Sequence, residues 1–340
     1  MIKTAYHYDD LMILPALEAH LNSRTDCIPH YASGQLPFFA APMSTVVAQQ
    51  NYQFFLEQGL NVCFPRYQNL PPNFFDLQKQ YKGRLFLAMD LEEFNKEFLV
   101  LGKKLNRQHA ILIDTANGHL QRVYELCLAA KKEYGQQMLL MAGNIGHPQT
   151  FERLAETGVD YLRLGIGGGR NCNTSSFTGV HYPLASLIIE SRKLAQQLPK
   201  APKIIADGGI GSYANAIMAL ACGADYVMMG SLINQALESA GQNYLFKQIP
   251  LSQKLAKLAF RLGLPLYKEY KALHSRPASA QQGLIGRRAV EGRRSLQKVQ
   301  YQLPDFLFNL GSYLQSAMSY TGKIHLEDFI GQVELITDQR

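Results

Sequence analysis

The sequence predicts an α/β fold in the form of a (β/α)8 barrel, and three observations carry that expectation. Short apolar runs alternate with helical segments along most of the 340 residues, and parallel strands need long crossovers of this kind. The runs number eight, the count that closes a barrel. The early GxGxxG typical of an open doubly wound sheet is missing.

Taken in order, the expected strands are Phe38–Ala41, Asn61–Phe64, Leu85–Met89, Ala110–Asp114, Met138–Ala142, Tyr161–Leu164, Lys203–Ala206 and Tyr226–Met229. Between them, apolar residues recur at three- and four-residue spacing. That spacing predicts helices over Val46–Glu57, Asn73–Tyr81, Glu92–Asn106, Arg122–Tyr134, Pro148–Thr157, Leu184–Leu198 and Tyr213–Cys222. After the eighth strand the pattern fails. Residues 241–304 hold Gly, Pro, Gln-Gln and two arginine pairs, with the weakest periodicity between Ala272 and Gln302. A stretch this long is expected to serve as a lid or flap of one domain spanning 1–340. A last helix over Pro304–Tyr320 is expected to pack back on the barrel.

Composition narrows the function. Hydrophobic residues make up 47% and charged residues 18% of the chain, which excludes a disordered protein. No apolar run is long enough to span a bilayer, and MIKTAYHYDD is too polar for a signal peptide. Five scattered cysteines without a CxxC pair predict a reducing compartment, the cytoplasm, rather than disulfides or zinc. The net charge of +7 is concentrated at Arg287–Arg288 and Arg293–Arg294, around Glu291. That is too local for a nucleic-acid face. It suits either a solvated segment or a loop that meets an anionic ligand.

Polar and glycine residues cluster after the last five strands, at Asp114–Gly118, Gly143–Asn144, Gly165–Cys172, Asp207–Gly211 and Gly230–Ser231. In this fold those positions lie on the C-terminal face, where active sites are built. The loop GIGGGRNCNTSS (Gly165–Ser176) can form an anion nest, with Arg170 as a forked donor to phosphate. Cys63, Cys127 and Cys222 sit in apolar segments and read as packing. Cys172 sits in the polar loop, where Arg170 favours its thiolate, and Thr174 offers a hydroxyl beside it. Asp207-Gly208-Gly209 suits a ribose and a phosphate, although Asp207 also fits a helix N-cap. Gly230-Ser231 adds another N–H and a hydroxyl.

These residues, with YDDLMILP (Tyr8–Pro15), APMSTV (Ala41–Val46), DTANGH (Asp114–His119), AGNI (Ala142–Ile145), EG (Glu291–Gly292) and SAMSYTG (Ser316–Gly322), occur in the order of the IMP dehydrogenase/GMP reductase family, which the chain resembles along nearly its whole length. The resemblance implies that Cys172 attacks C2 of a purine nucleotide, with Thr174 and Glu291 handling protons. It implies a nucleotide site built from Met43, Gly169, Arg170, Asp207, Gly208, Gly209, Gly230, Ser231, Tyr270 and His274. It places Asp114, Ala116, Asn117 and Gly118 beside a nicotinamide cofactor, NADPH or NADH. Backbone carbonyls of Gly167, Gly169 and Cys172 are the candidate ligands of a monovalent cation, K+.

The resemblance is closer to the reductase branch, which converts GMP to IMP and ammonia. DTANG resembles that branch's DVANG, no CBS pair is inserted, and the spacing from Ser275 to Glu291 is short, without an Arg-Tyr dyad. NAD-dependent oxidation of IMP is the alternative, and a non-catalytic nucleotide-binding barrel is a third. Family members are typically homotetramers; neither nucleic acid nor membrane is an expected partner. Where relatives read GPGSxCTT the chain has GGGRNCNT, with Arg170 and Asn173 beside the cysteine, and His181 and Leu273 also depart from the family pattern. These changes lie on the ligand side and leave room for a modified purine nucleotide.

Overall fold

A computed structural model describes residues 4–100, 108–167, 177–271 and 294–337. After a short first strand, β1 (Leu11–Ile13), come β2 (Phe38–Ala40), β3 (Asn61–Phe64), β4 (Leu85–Met89), β5 (His109–Asp114), β6 (Met138–Ile145), β7 (Tyr161–Leu164), β8 (Lys203–Asp207) and β9 (Tyr226–Met229). Strands β2 to β9 form a closed parallel barrel in chain order, β2 pairing with both β3 and β9. The expected (β/α)8 barrel is therefore present. Its strands match the expected ones to within one residue, except that β6 runs on to Ile145.

Two interleaved sets of apolar side chains explain the closure. Phe39, Cys63, Phe86, Leu112, Met141, Ile205, Tyr226 and Met228 form one buried cluster inside the barrel. Their strand neighbours, among them Phe38, Val62, Phe64, Leu87, Ile111, Leu140, Leu162 and Val227, join a second cluster with the surrounding helices. A strand buried on both faces reads as a nearly continuous apolar run, which is how these strands read in the sequence. Phe39 packs edge-on against Phe86 and Tyr226, at centroid distances of 5.9 Å and 5.3 Å.

The helices depart from expectation where side chains compete for the backbone. The first is Tyr52–Glu57, not Val46–Glu57. Asn51 accounts for the shortening: its Oδ1 accepts from the Ala48 N–H at 2.8 Å, and its Nδ2 donates to the Val46 carbonyl at 2.9 Å, holding a turn where the helix would begin. Helix Leu91–Phe94 is capped by Asp90, whose Oδ1 accepts from Glu92 and Glu93 N–H, and it widens into a π turn over Asn95–Val100. The remainder of the expected Glu92–Asn106 helix lies outside the described residues.

Beyond β9 the chain builds a second, antiparallel sheet that periodicity did not reveal. It contains β10 (Asn243–Leu245), β11 (Ile249–Leu251), β12 (Leu266–Lys271) and β13 (Arg294–Lys298), in the order β11-β10-β12-β13. Helix Gln253–Arg261 packs on it through Ala256 and Ala259, with Leu237, Leu266 and Val299. The last long helix is Leu303–Tyr320, one residue longer than expected, and β14 (Leu335–Thr337) pairs antiparallel with β1.

The barrel interior predicts a stability effect. Phe39→Ala, at a fully buried position, should cost about 3–5 kcal/mol in urea unfolding, whereas Phe308→Ala, on an exposed helix face, should change stability little.

Candidate active site

The C-terminal mouth of the barrel is organised by one buried cation. Arg163 lies near the end of β7, points into the barrel, and is 6% exposed. Its Nη1 donates to Asp114 Oδ1 at 2.9 Å, at the end of β5. Its Nη2 donates to Asp207 Oδ2 at 3.0 Å, at the end of β8. Burial alone would lower the Arg163 pKa, but Asp207 and Asp114 outweigh it and raise it. Asn144, at the end of β6, donates to the same Asp207 oxygen at 2.8 Å and to the Gly165 carbonyl at 2.7 Å. Arg66, just beyond β3, donates to the Asp114 carbonyl at 3.0 Å and holds Nε 3.5 Å from Oδ2.

This network leaves Asp207 Oδ1 for a ligand, while both oxygens of Asp114 face arginines. Asp207 spends Oδ2 on both Arg163 and Asn144, and Oδ1 accepts no hydrogen bond among the described residues. Asp114 Oδ2 is buried and likewise without a hydrogen bond. Asp207 is not a helix cap. The following helix, Tyr213–Ala221, is capped by Ser212, which accepts from the Asn215 N–H.

Backbone geometry around the carboxylates excludes side chains. A Cβ on Gly165, at φ 137°, would collide with the Asp207 carbonyl. On Gly118 it would come within 2.7 Å of both the Asn144 carbonyl oxygen and Ile145 Cγ2. The turn after Asp114 is bolted to β6, since Thr115 N–H donates to the Gly143 carbonyl and Asn144 N–H to the Thr115 carbonyl. Ala116 and Asn117 stand exposed on that turn, with Asn117 Oδ1 accepting from the His119 N–H. His119 Nε2 accepts from the Gly146 N–H at 2.9 Å, so its proton sits on Nδ1, facing Thr150 Oγ1 at 2.9 Å. Burial and His147 both lower its pKa, consistent with a neutral ring.

On the other side of the mouth lie Gly208, Gly209, Gly230 and Ser231. Gly208 and Gly209 adopt φ of 108° and 68°, which favour glycine. A Cβ on Gly230 would stand 2.9 Å from both Met43 Sδ and the Tyr270 hydroxyl, so these three residues meet. Ser231 Oγ accepts from Gln297 Nε2 at 2.9 Å. Tyr8, in the opening YDD motif, packs against Gly209. His181 Nδ1 donates to the Ile166 carbonyl at 2.8 Å while its ring stacks on His7, bracing the entry to the glycine loop.

Tyr270 reaches Gly230 because β12 is anchored from below. Lys268, two residues earlier and fully buried, donates to the carbonyls of Ala236, Leu237 and Ser239 at 3.2, 2.7 and 2.8 Å. Burial pulls its pKa down to about 7 against the pull of Glu238. Asn234 Nδ2 donates to the carbonyls of Thr45 and Glu269, tying the Met43 turn to β12.

The structure thus gathers Met43, Asp114, Ala116, Asn117, Gly118, Asp207, Gly208, Gly209, Gly230, Ser231 and Tyr270 around the barrel mouth. Gly169, Arg170, Cys172, Thr174, His274 and Glu291 lie outside the described residues, as do Asn173, Leu273 and Arg287–Arg288. Of the candidate cation ligands only Gly167 is described, and no cluster of metal-ligating side chains occurs among the described residues. Cys27, Cys63, Cys127 and Cys222 are buried, and burial pushes each thiol up, Cys127 and Cys222 to about 12. None of the four is a nucleophile. Sequence reasoning missed Arg163, Asn144 as a donor, and Lys268; for Arg163 the available signal was a lone cation inside an apolar strand.

A closed parallel barrel with its charged groups gathered at the carboxyl ends of its strands has the architecture of a barrel enzyme. Residues 83–339 match the family described as IMP dehydrogenase / GMP reductase domain, and the chain belongs to that family. Both names are those of oxidoreductases, and the chain is an oxidoreductase of this family. It is 28% identical to GMP reductase of Bacillus thuringiensis (strain Al Hakam) over 339 residues, which cover 96% of this chain and 94% of the relative. GMP reductase of Clostridium acetobutylicum is 28% identical over 330 residues, covering 94% and 92%. GMP reductase of Mesoplasma florum is 26% identical over 323 residues, covering 94% and 93%.

Two predictions follow from the buried charges. Arg163→Met removes the cation between two carboxylates and leaves Arg66 beside Asp114 alone, so it should cost about 3–5 kcal/mol at pH 7. Their mutual repulsion raises both carboxylate pKa values in the variant, so its deficit in urea unfolding should narrow as pH falls towards 4. For Lys268 the dependence has the same sign but a higher window. Between about pH 7, its folded value, and 10.5, its ordinary one, the unfolded chain holds a proton that the folded chain lacks. Stability relative to Lys268→Met should therefore rise with pH across that window.

Proposed function

We propose that this protein is an NAD(P)H-dependent reductase of a purine nucleoside monophosphate, converting GMP, or a close relative of it, to IMP and ammonia. The observation that carries the reading is the Asp114–Arg163–Asp207 bridge. It holds two carboxylates at one mouth, with Asp207 Oδ1 left for a ligand. Full-length similarity to proteins named GMP reductase supports the same reading.

In this reading, Asp207 Oδ1 accepts from the ribose hydroxyls of the nucleotide. N–H groups of Gly208, Gly209 and Gly230, the Ser231 hydroxyl and the Tyr270 hydroxyl receive its phosphate, with Met43 against the base. Gly169, Arg170 and His274 complete that site. The Cys172 thiolate attacks C2 of the purine; the C2–N2 bond breaks and ammonia leaves, carrying protons supplied through Thr174 and Glu291. The C2–S bond then breaks as C2 gains a hydride, and the thiolate returns. A nicotinamide cofactor, NADPH or NADH, supplies that hydride when bound. The residues present fit such a group: beside Asp114, the turn bolted to β6 leaves Ala116 and Asn117 exposed at the barrel mouth. Asp114, Ala116, Asn117 and Gly118 would hold it. K+ on the carbonyls of Gly167, Gly169 and Cys172 would steady the glycine loop. Family resemblance further supports a cytoplasmic homotetramer.

Following the absorbance of reduced nicotinamide tests the reading. Oxidation of NADPH or NADH with GMP is the expected result. Reduction of NAD with IMP would instead assign the dehydrogenase reaction, and silence with both pairs would overturn both. Cys172→Ala should lower turnover roughly a thousandfold or more, and intact-mass measurement should show a nucleotide adduct on the unsubstituted protein alone.

A further inference from the structure

The second sheet carries a surface for which the barrel chemistry has no use. Between Gln242 and Glu269 the chain has no acidic residue and five basic ones, Lys247, Lys254, Lys257, Arg261 and Lys268. Lys268 is buried; the other four face solvent. Helix Gln253–Arg261 packs inward on the sheet through Ala256 and Ala259. Two parallel stripes remain outside. Lys254, Lys257 and Arg261 form one at helical spacing, and Leu255, Leu258 and Leu262 form the other, one position on. Those leucines are 53%, 54% and 66% exposed.

The β10–β11 hairpin extends the apolar stripe. Phe246 and Ile249 are each more than half exposed. The Phe246 N–H donates to the Pro265 carbonyl at 3.1 Å, bringing the hairpin tip against Leu264, which is exposed too. Lys247 sits over the Tyr267 ring at 5.0 Å. The face therefore joins an apolar ridge to a cationic border with no anion of its own stretch to neutralise it.

Charge decides what can cover it. A twofold contact with a second copy through this face would set four cations against four. An anionic bilayer offers both halves of the complement, headgroup charge for the lysines and hydrocarbon for the leucines. No helix of the described residues is long and apolar enough to cross a membrane. We propose that helix Gln253–Arg261 and the β10–β11 hairpin tip dock this protein on an anionic phospholipid surface. The helix lies in the headgroup plane, Leu255, Leu258 and Leu262 enter the acyl boundary, and Lys247, Lys254, Lys257 and Arg261 meet phosphates. This widens the expectation from the sequence, which had no membrane partner.

Cosedimentation of the full chain with vesicles provides the test. Binding is expected to vesicles of phosphatidylcholine with one third phosphatidylglycerol, and not to phosphatidylcholine alone. Raising salt from low to high concentration should release the protein. Leu258→Glu with Leu262→Glu, and separately Lys254→Glu with Lys257→Glu, should each weaken binding by about tenfold or more. All four positions are exposed, so melting temperatures should stay close to that of the unsubstituted chain. Failure of the unsubstituted chain to bind anionic vesicles would overturn the proposal, as would binding indifferent to both pairs of substitutions. Sedimentation velocity gives a third arm: an oligomer that dissociates on Leu258→Glu would make the face a contact between copies and also overturn it. Binding to polyglutamate but not to vesicles would assign an acidic protein partner instead, with the same consequence.

Discussion

A guanidinium buried between two carboxylates is the constraint on which the mouth of this barrel depends. Arg163 is planar and presents its donors in a fork, so it can hold Asp114 and Asp207 at once, on strands that are not neighbours of each other. The pairing is demanding because each charged group has left water, and desolvation is offset only if every partner stays in place. Asn144 and Arg66 complete the set from β6 and from beyond β3. The carboxylate positions are thus properties of the barrel itself and not of loops that follow it. This is the rigidity a site needs if ribose hydroxyls are to be held in register with a reacting carbon.

The cradle on the other side depends on a different anchor. Gly230 admits no side chain because Met43 and Tyr270 already fill the space beside it. Tyr270 comes from the second sheet, outside the barrel, and its depth is set by Lys268 reaching three carbonyls beneath it. Asn234 links the same strand to the turn after β2. Barrel and added sheet therefore meet at the Gly230 turn.

Much of this was legible in the sequence, and the boundary of legibility is physical. The eight barrel strands are visible because both their faces are buried, so each reads as a mostly apolar run. Strands β10 and β11 have three residues each, too few for any period to show, and the pairings of β10 with β12 and of β12 with β13 join segments whose partnership composition does not encode. Asp207 was ambiguous between a cap and a ligand holder until Ser212 proved to cap the helix. Arg163 leaves a fainter trace, because a strand is legible by its apolar residues and a single cation among them does not say what it pairs with. The shortened first helix has a similar cause: Asn51 satisfies local backbone groups that a helix would have used.

The pairing of β1 with β14 has a temporal consequence. Leu11 lies opposite Thr337, so the strand beside the opening YDD segment finds its partner only when the far end of the chain is present. Tyr8, which packs against Gly209, sits three residues before that strand. During synthesis the barrel can close around its apolar runs first, while the segment that walls the glycine turn waits. The ribosome thus completes the site last, and a nascent chain is a barrel before it can be a catalyst.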